Sequence, residues 1–341
     1  GELSYSQVKM TDTEQEVLGM IRENFGTVIV LVNSSNVMEL GMLEETDDNG
    51  NDVDAVLWVG HPGLTGNKAV AEIIAGKTNP SGKLVDTWAR DISSEQSFVN
   101  FGSNTNYFNA GNNRGQAFQI YYEGIYVGYR YYTTRAMTDD SFNYDDHVMW
   151  SFGHGLSYTT FEKHISDYRI DEAAGTIEVD IAFTNTGSVT GREVGEIYFT
   201  APYEVGGPEK AYYELAAFVK SNDIEPGQTQ AYTATFDIAD MASWDTRYKA
   251  ADGTEGAYVL AKGDYKITLR DNVWQQTEST EGDTEFVYKV ADNVAYTTDG
   301  KTGEQVSNRF QDVEFGPYNY AVTYLSRSDW SNTFTTRDQI D

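Results

Sequence analysis

Val28-Ile29-Val30-Leu31-Val32 and Ala55-Val56-Leu57-Trp58-Val59 are two short, unbroken apolar runs rich in β-branched residues and bounded by turns. Strands buried on both faces of a parallel sheet read this way. Upstream, Thr11-Asp12-Thr13-Glu14 has capping-box form: the Thr oxygen can accept an early helix N–H and the Glu can reach back. Val17, Leu18, Ile21 and Phe25 follow at helical spacing, and Gly26 suits the position just past a helix end. A second helix is expected over 67–75, with Val70, Ile73 and Ile74 on one face and Gly76 ending it. Asn79-Pro80-Ser81-Gly82 then turns the chain into an extended piece at Leu84-Val85. Strand, helix and strand at this spacing predict an α/β layer with right-handed crossovers over about residues 10–160.

The period changes after residue 165. Ile177, Val179, Ile181 and Phe183 alternate with polar residues, as do Tyr232, Ala234, Phe236 and then Tyr265, Ile267, Leu269. Glu225-Pro226-Gly227 and Lys262-Gly263-Asp264 supply turns between them, which predicts an antiparallel β-sandwich. Beyond residue 273 the chain is polar and poorly periodic. An extended connector with one or two strands is expected there, anchored by Phe310, Val313, Phe315, Tyr318 and Tyr320. Residues 102–118 are rich in Gly and Asn and read as an irregular loop.

Composition removes several functions. The chain of 341 residues has 24 Lys+Arg against 53 Asp+Glu, a net charge of −29, which repels nucleic acid and anionic membranes but not a neutral sugar. There is no cysteine, so disulfides, thiolate metal sites and a Cys nucleophile are excluded. No run approaches the roughly 18 apolar residues of a membrane span. The four histidines (61, 147, 154, 164) are scattered, without a helical i, i+4 pair, so no metal and no cofactor is expected. Residue 1 is Gly, so the native start is expected upstream. The compartment stays open between bacterial cytoplasm and secretion.

Four segments together resemble the family-three glycoside hydrolases. They are Val28-Ile-Val-Leu-Val-Asn33 with Val37-Met-Glu-Leu40, Trp58-Val-Gly-His-Pro-Gly63 with Asn79-Pro-Ser-Gly-Lys-Leu84, Tyr122-Glu-Gly-Ile-Tyr-Val-Gly-Tyr-Arg-Tyr-Tyr132, and Ser151-Phe-Gly-His-Gly-Leu-Ser-Tyr-Thr-Thr-Phe161. Their order and spacing carry the signal. Asn185-Thr-Gly187, Ile224-Glu-Pro-Gly227 and Gly263-Asp-Tyr265 are similar to turns of that family's fibronectin type III-like domain. The fold class implied is α/β plus all-β: the C-terminal part of a flavodoxin-like α/β sandwich (1–160), a fibronectin type III-like β-sandwich (161–275) and an extended connector (276–341) leading towards a (β/α)8 barrel. Tyr324-Leu-Ser-Arg-Ser-Asp-Trp330 resembles the lead-in to that barrel in members with circularly permuted domain order.

The resemblance implies a retaining, exo-acting β-glycosidase of the β-glucosidase or β-xylosidase type, using two carboxyl groups about 5–5.5 Å apart. The nucleophile would be an Asp on a barrel strand outside this chain. The acid/base would be a Glu in a Gly-Glu-rich loop before the helix that starts near Thr11, for which Glu2 is the candidate, with a residue before position 1 as the alternative. Asp329 sits in a superficially matching Ser-Asp-Trp but lacks the apolar strand before it, so it is read as a connector residue. His61, after the second strand, and Tyr107, Phe108 and Arg114, in the Gly/Asn loop, are candidates for the substrate rim. The implied partners are an oligosaccharide substrate and the rest of the same enzyme, its barrel and an upstream half-sheet, as another chain or segment, with a homodimer left open. A carbohydrate-binding or scaffolding module without catalysis is the alternative, and an N-acetylglucosaminidase branch a third. Glu123 and Arg130 are expected in a buried network at the domain junction, with Gly124 and Gly128 letting aromatic neighbours pack closely.

Overall fold

A computed structural model describes residues 8–45, 52–100, 121–251, 253, 255–307, 324–331 and 333. Its first helix, α1 (Asp12–Asn24), opens on the expected capping box: Glu14 N donates to Thr11 Oγ1 at 3.3 Å and Thr11 N to Glu14 Oε2 at 2.8 Å. Leu18 and Arg22 turn inward, and Arg22 Nη2 donates to the Met42 carbonyl at 3.2 Å. Strands β1 (Ile29–Val32) and β2 (Ala55–Trp58) pair in parallel, Ile29 opposite Ala55 and Val32 opposite Trp58. Helix α2 (Gly63–Ile74) starts four residues before the expected 67, because Gly60 and Gly63 hold φ of 55° and 62° and turn the chain sharply out of β2.

The β1–β2 pair buries one face. Val28, Val32, Leu18, Leu40, Leu43 and Trp88 form a core, with Trp58 and Trp150 against Trp88 at ring distances of 5.9 and 5.7 Å. The other face is open: Ile29 and Leu31 are 44% and 45% exposed. Val17 and Met20 of α1 and Phe25 just past its end are exposed too, as is Ile74 at the end of α2. The expectation that the 28–32 run is buried on both faces is therefore corrected. Its residues suit two-sided burial, but among the described residues nothing covers the second side.

Short elements follow: β3 (Trp88–Ala89), α3 (Gln96–Asn100), α4 (Tyr129–Thr138), α5 (Tyr144–His147) and β4 (Val148–Trp150), which pairs with β3. Tyr126, Tyr131, Tyr132, Phe142 and Tyr144 pack with Leu325 and Trp330 into a second core. Gly124 and Gly128 both have φ of 57°, and a Cβ at either would meet nothing within 4 Å. Backbone conformation rather than close aromatic packing is thus what demands glycine here.

The remaining strands are β5 (Phe161–Asp171), β6 (Thr176–Asn185), β7 (Val194–Thr200), β8 (Glu214–Lys220), β9 (Thr229–Asp237), β10 (Ser243–Lys249), β11 (Glu255–Leu260), β12 (Gly263–Arg270), β13 (Glu285–Val290) and β14 (Val294–Tyr296). They form antiparallel sheets ordered β5-β6-β9, β13-β12-β7-β8 and β10-β11-β14. Ile177, Val179, Ile181 and Phe183 of β6 are fully buried with Ile197 of β7 and Ile267 and Leu269 of β12. Each such side chain contributes roughly 1.5–3 kcal/mol by leaving water. Strand β13, in a stretch read as connector, pairs with β12 and turns Phe286, Tyr288 and Val290 into this core. Its alternation is only six residues long and follows the polar Glu281-Gly-Asp-Thr284, which hides it in a polar average.

Candidate functional site

The carboxyl ends of β1 and β2 are where an open α/β sheet offers a ligand site. The loop after β1 carries Asn33, Ser35 and Asn36, all exposed, and the loop after β2 carries exposed His61. Trp58 Nε1 donates to the Ser34 carbonyl at 2.7 Å, tying the two loops together, and Ser34 Oγ donates to the Asn36 carbonyl at 3.0 Å. The edge therefore presents amides, hydroxyls and one imidazole, groups suited to neutral hydroxylated ligands. Of the other rim and acid/base candidates, Glu2, Tyr107, Phe108 and Arg114 lie outside the described residues.

Carboxyl groups with raised pKa often mark catalysis, and three described ones qualify. Burial pushes Glu123 up, although Asn100 Nδ2 donates to its Oε2 at 2.8 Å. Burial raises Glu214 as well, against the pull of Arg130, whose Nη2 lies 3.3 Å from Glu214 Oε2. Burial pushes Glu196 up to about 7. All three sit in packed junctions, so their raised values follow from desolvation inside the scaffold. The expected network of Glu123 with Arg130 is divided: Glu123 bonds Asn100 within the α/β layer, while Arg130 reaches across to β8 of the sandwich. Asp329 is exposed and accepts from Ser331 N at 2.9 Å, the bond that holds its carboxyl below the usual range; it caps a turn.

Two of the sequence motifs prove to be one structural unit. Leu84 N donates to the His154 carbonyl at 2.8 Å and Gly153 N to the Leu84 carbonyl at 2.7 Å. Asn79 Oδ1 accepts from Tyr158 N at 2.8 Å and Ser157 Oγ at 3.1 Å, while its Nδ2 donates to the Thr190 carbonyl at 3.3 Å. Asn79 thus fastens the α/β layer to the sandwich. On the sandwich side, Val273 N donates to the Phe152 carbonyl at 3.0 Å and Trp274 stacks on Tyr144 at 4.0 Å. A Cβ on Gly155 would lie 2.1 Å from the Gly82 carbonyl oxygen, a backbone atom. Gly155→Ala is accordingly expected to cost about 3 kcal/mol through forced separation of the two segments, read as a lower urea midpoint.

A parallel α/β layer fastened to a fibronectin-type sandwich is the arrangement that the resemblance to glycoside hydrolases implies for the part outside the barrel. Family models described as "Glycosyl hydrolase family 3 C-terminal domain" and "Fibronectin type III-like domain" match residues 1–129 and 193–273. The chain belongs to glycoside hydrolase family 3. It is 31% identical over 316 residues to beta-glucosidase A of Butyrivibrio fibrisolvens, across 88% of this chain and 33% of that protein. It is 33% identical over 264 residues to a beta-glucosidase of Ruminococcus albus, across 77% of this chain and 24% of that one. Among solved structures, a beta-glucosidase from Paenibacillus barengoltzii superposes with a TM-score of 0.71 at 30% identity, over 88% of this chain and 29% of that one. The chain thus spans a third or less of the length of these relatives, and the described residues hold no (β/α)8 barrel.

Proposed function

We propose that this chain is the non-barrel part of a retaining, exo-acting β-glycosidase that removes terminal non-reducing β-linked glucose or xylose from oligosaccharides. A barrel outside the chain, following the fibronectin-like domain, supplies the nucleophilic Asp. A Glu before α1, either Glu2 or a residue upstream, serves as acid/base. His61, Tyr107, Phe108 and Arg114 line the outer rim. The observation that carries this reading is the exposed apolar surface of β1 and around α1: Ile29, Leu31, Val17, Met20 and Phe25 are apolar and exposed in a chain that spans a third or less of its β-glucosidase relatives. Such a surface is an aggregation hazard unless more polypeptide covers it.

The test compares the isolated 341-residue chain with a polypeptide that adds the barrel, using an aryl β-glucoside as substrate. The isolated chain should give no turnover. The longer polypeptide should turn over, and a 2-fluoro-glycoside should label it on the barrel. Turnover by the isolated chain would overturn the reading. Sugar binding without turnover in the longer polypeptide would favour the non-catalytic module instead.

A further inference from the structure

The turn 151–155 and strand β7 meet around a carboxyl group that no role above uses. Glu196 is 5% exposed and accepts from Tyr198 Oη at 2.7 Å. A Cβ on Gly153 would lie 2.2 Å from its Oε2 and 2.6 Å from its Oε1, so the carboxyl group rests on the turn's Cα. Two lysines are near, yet both are engaged elsewhere. Lys83, from the loop after α2, has Nζ 3.0 Å from Glu193 Oε1 and donates to the Gly155 carbonyl at 2.9 Å. Lys163, on β5, has Nζ 2.7 Å from Asp271 Oδ1 and 3.8 Å from Glu193 Oε1. Arg270, opposite Glu196 across the β7–β12 pair, donates to the Val273 and Trp274 carbonyls and lies 4.1 Å over the Tyr213 ring. His154, in the turn itself, is pushed towards its neutral form by burial and then by Lys83. Tyr129 of α4 lies edge-on to Tyr198 and against Phe152. Glu193 and Asp271 thus answer Lys83 and Lys163; the Tyr198 hydroxyl and the two lysines still favour an ionised Glu196, and burial, helped by the charge of Glu193, outweighs them.

We propose that Glu196 makes the junction between the α/β layer and the sandwich sensitive to pH. With the carboxyl neutral, it packs on Gly153 and holds the turn against β7. Once ionised, it seeks water and the turn loosens. Burial places the changeover at about 7, against an ordinary value of 4.5. Between these values the folded protein keeps a proton that the unfolded chain releases. The stabilising contribution is therefore full below about pH 4.5 and is lost as pH rises through about 7.

Glu196→Gln fixes the neutral form at every pH, so its behaviour is the test, read in the intact protein by amide hydrogen exchange. In the unmodified protein, exchange at Gly153, His154 and Val273, corrected for intrinsic pH dependence, should accelerate about ten-fold between about pH 5.5 and about pH 8. Glu196→Gln should abolish that change and remove the accompanying fall in Tm. His154 titrates lower and is retained in the variant, so it does not mimic this result. A variant with the same pH dependence as the unmodified protein would overturn the proposal. Should the variant not fold, a side-chain carbon NMR titration of Glu196 in the unmodified protein decides: a midpoint near 4.5 overturns it, one near 7 supports it.

Discussion

Replacing Lys163 with methionine is expected to destabilise the protein by about 3 kcal/mol, measured from urea denaturation curves with unchanged m. Lys163 is 5% exposed, and its ammonium group is held by Asp271, Glu193 and the Val194 carbonyl, the last at 3.3 Å. Methionine keeps the stem's packing and removes only the charge. Glu193, 9% exposed, then keeps Lys83 and the Val194 N–H but loses its second cation. Asp271 loses its closest cation. Burial raises the Asp271 carboxyl, but the attraction and hydrogen bond of Lys163, with the hydroxyl of Thr277, outweigh it and leave the net value low. Breaking a buried pair costs about 3–5 kcal/mol, and the low end applies because the Asp271 side chain is 45% exposed and can regain water. The double variant Lys163→Met, Asp271→Asn should recover part of the loss. A single-variant cost below about 1 kcal/mol would show that the cluster is solvated and not a fastening between β5 and the loop after β12.

What could be read from the sequence was local or periodic. The capping box at Thr11 and Glu14 needs only four consecutive residues, so its reciprocal bonds were legible in advance. Strand β6 was legible because Ile177, Val179, Ile181 and Phe183 repeat at two residues and all reach the core. The run Val28–Val32 was legible as a strand, but composition tells what a strand is built to bury and not which polypeptide covers it. Fastenings between distant segments carried no such signal. Arg130 to Glu214, Lys163 to Asp271 and Asn79 to Tyr158 join residues from separate segments, and polar residues lack a period that would pair them. Glycines misled for a related reason. Gly128 stood in a recognisable motif, yet its requirement is a φ of 57°, a property of the chain path. Of the candidate site, the exposed position of His61 followed from a turn after an apolar run, whereas the raised carboxyls Glu123 and Glu196 needed the packing itself.

Trp330→Ala should cost about 3–5 kcal/mol, the range for removing a buried large aromatic. Trp330 is 7% exposed, with its ring 5.2 Å from that of Tyr126 and 6.0 Å from that of Tyr131. Its Nε1 donates to Thr138 Oγ1 at 3.1 Å, and Arg135 lies 5.9 Å from its ring. Among the described residues it is the one non-glycine with positive φ, at 55°. A side chain held in that region costs roughly 1–2 kcal/mol, so surrounding contacts must impose it. Those contacts are at hand. Glu209 accepts from Ser326 Oγ at 2.7 Å, from Arg327 N at 3.2 Å and from the Tyr126 hydroxyl, while Arg327 lies over Tyr203 at 4.3 Å and donates to the Lys210 carbonyl at 3.0 Å. Leu325, 2% exposed, adds N–H donation to the Tyr122 carbonyl at 2.8 Å. The segment is thus strapped to both the aromatic core and the sandwich side. Because alanine keeps the left-handed backbone penalty and glycine does not, Trp330→Gly should be no worse than Trp330→Ala and up to about 1 kcal/mol better. Comparing the two variants separates the indole's packing from the backbone's strain. A glycine variant clearly less stable than the alanine one would mean that the left-handed turn at 330 is not held in solution.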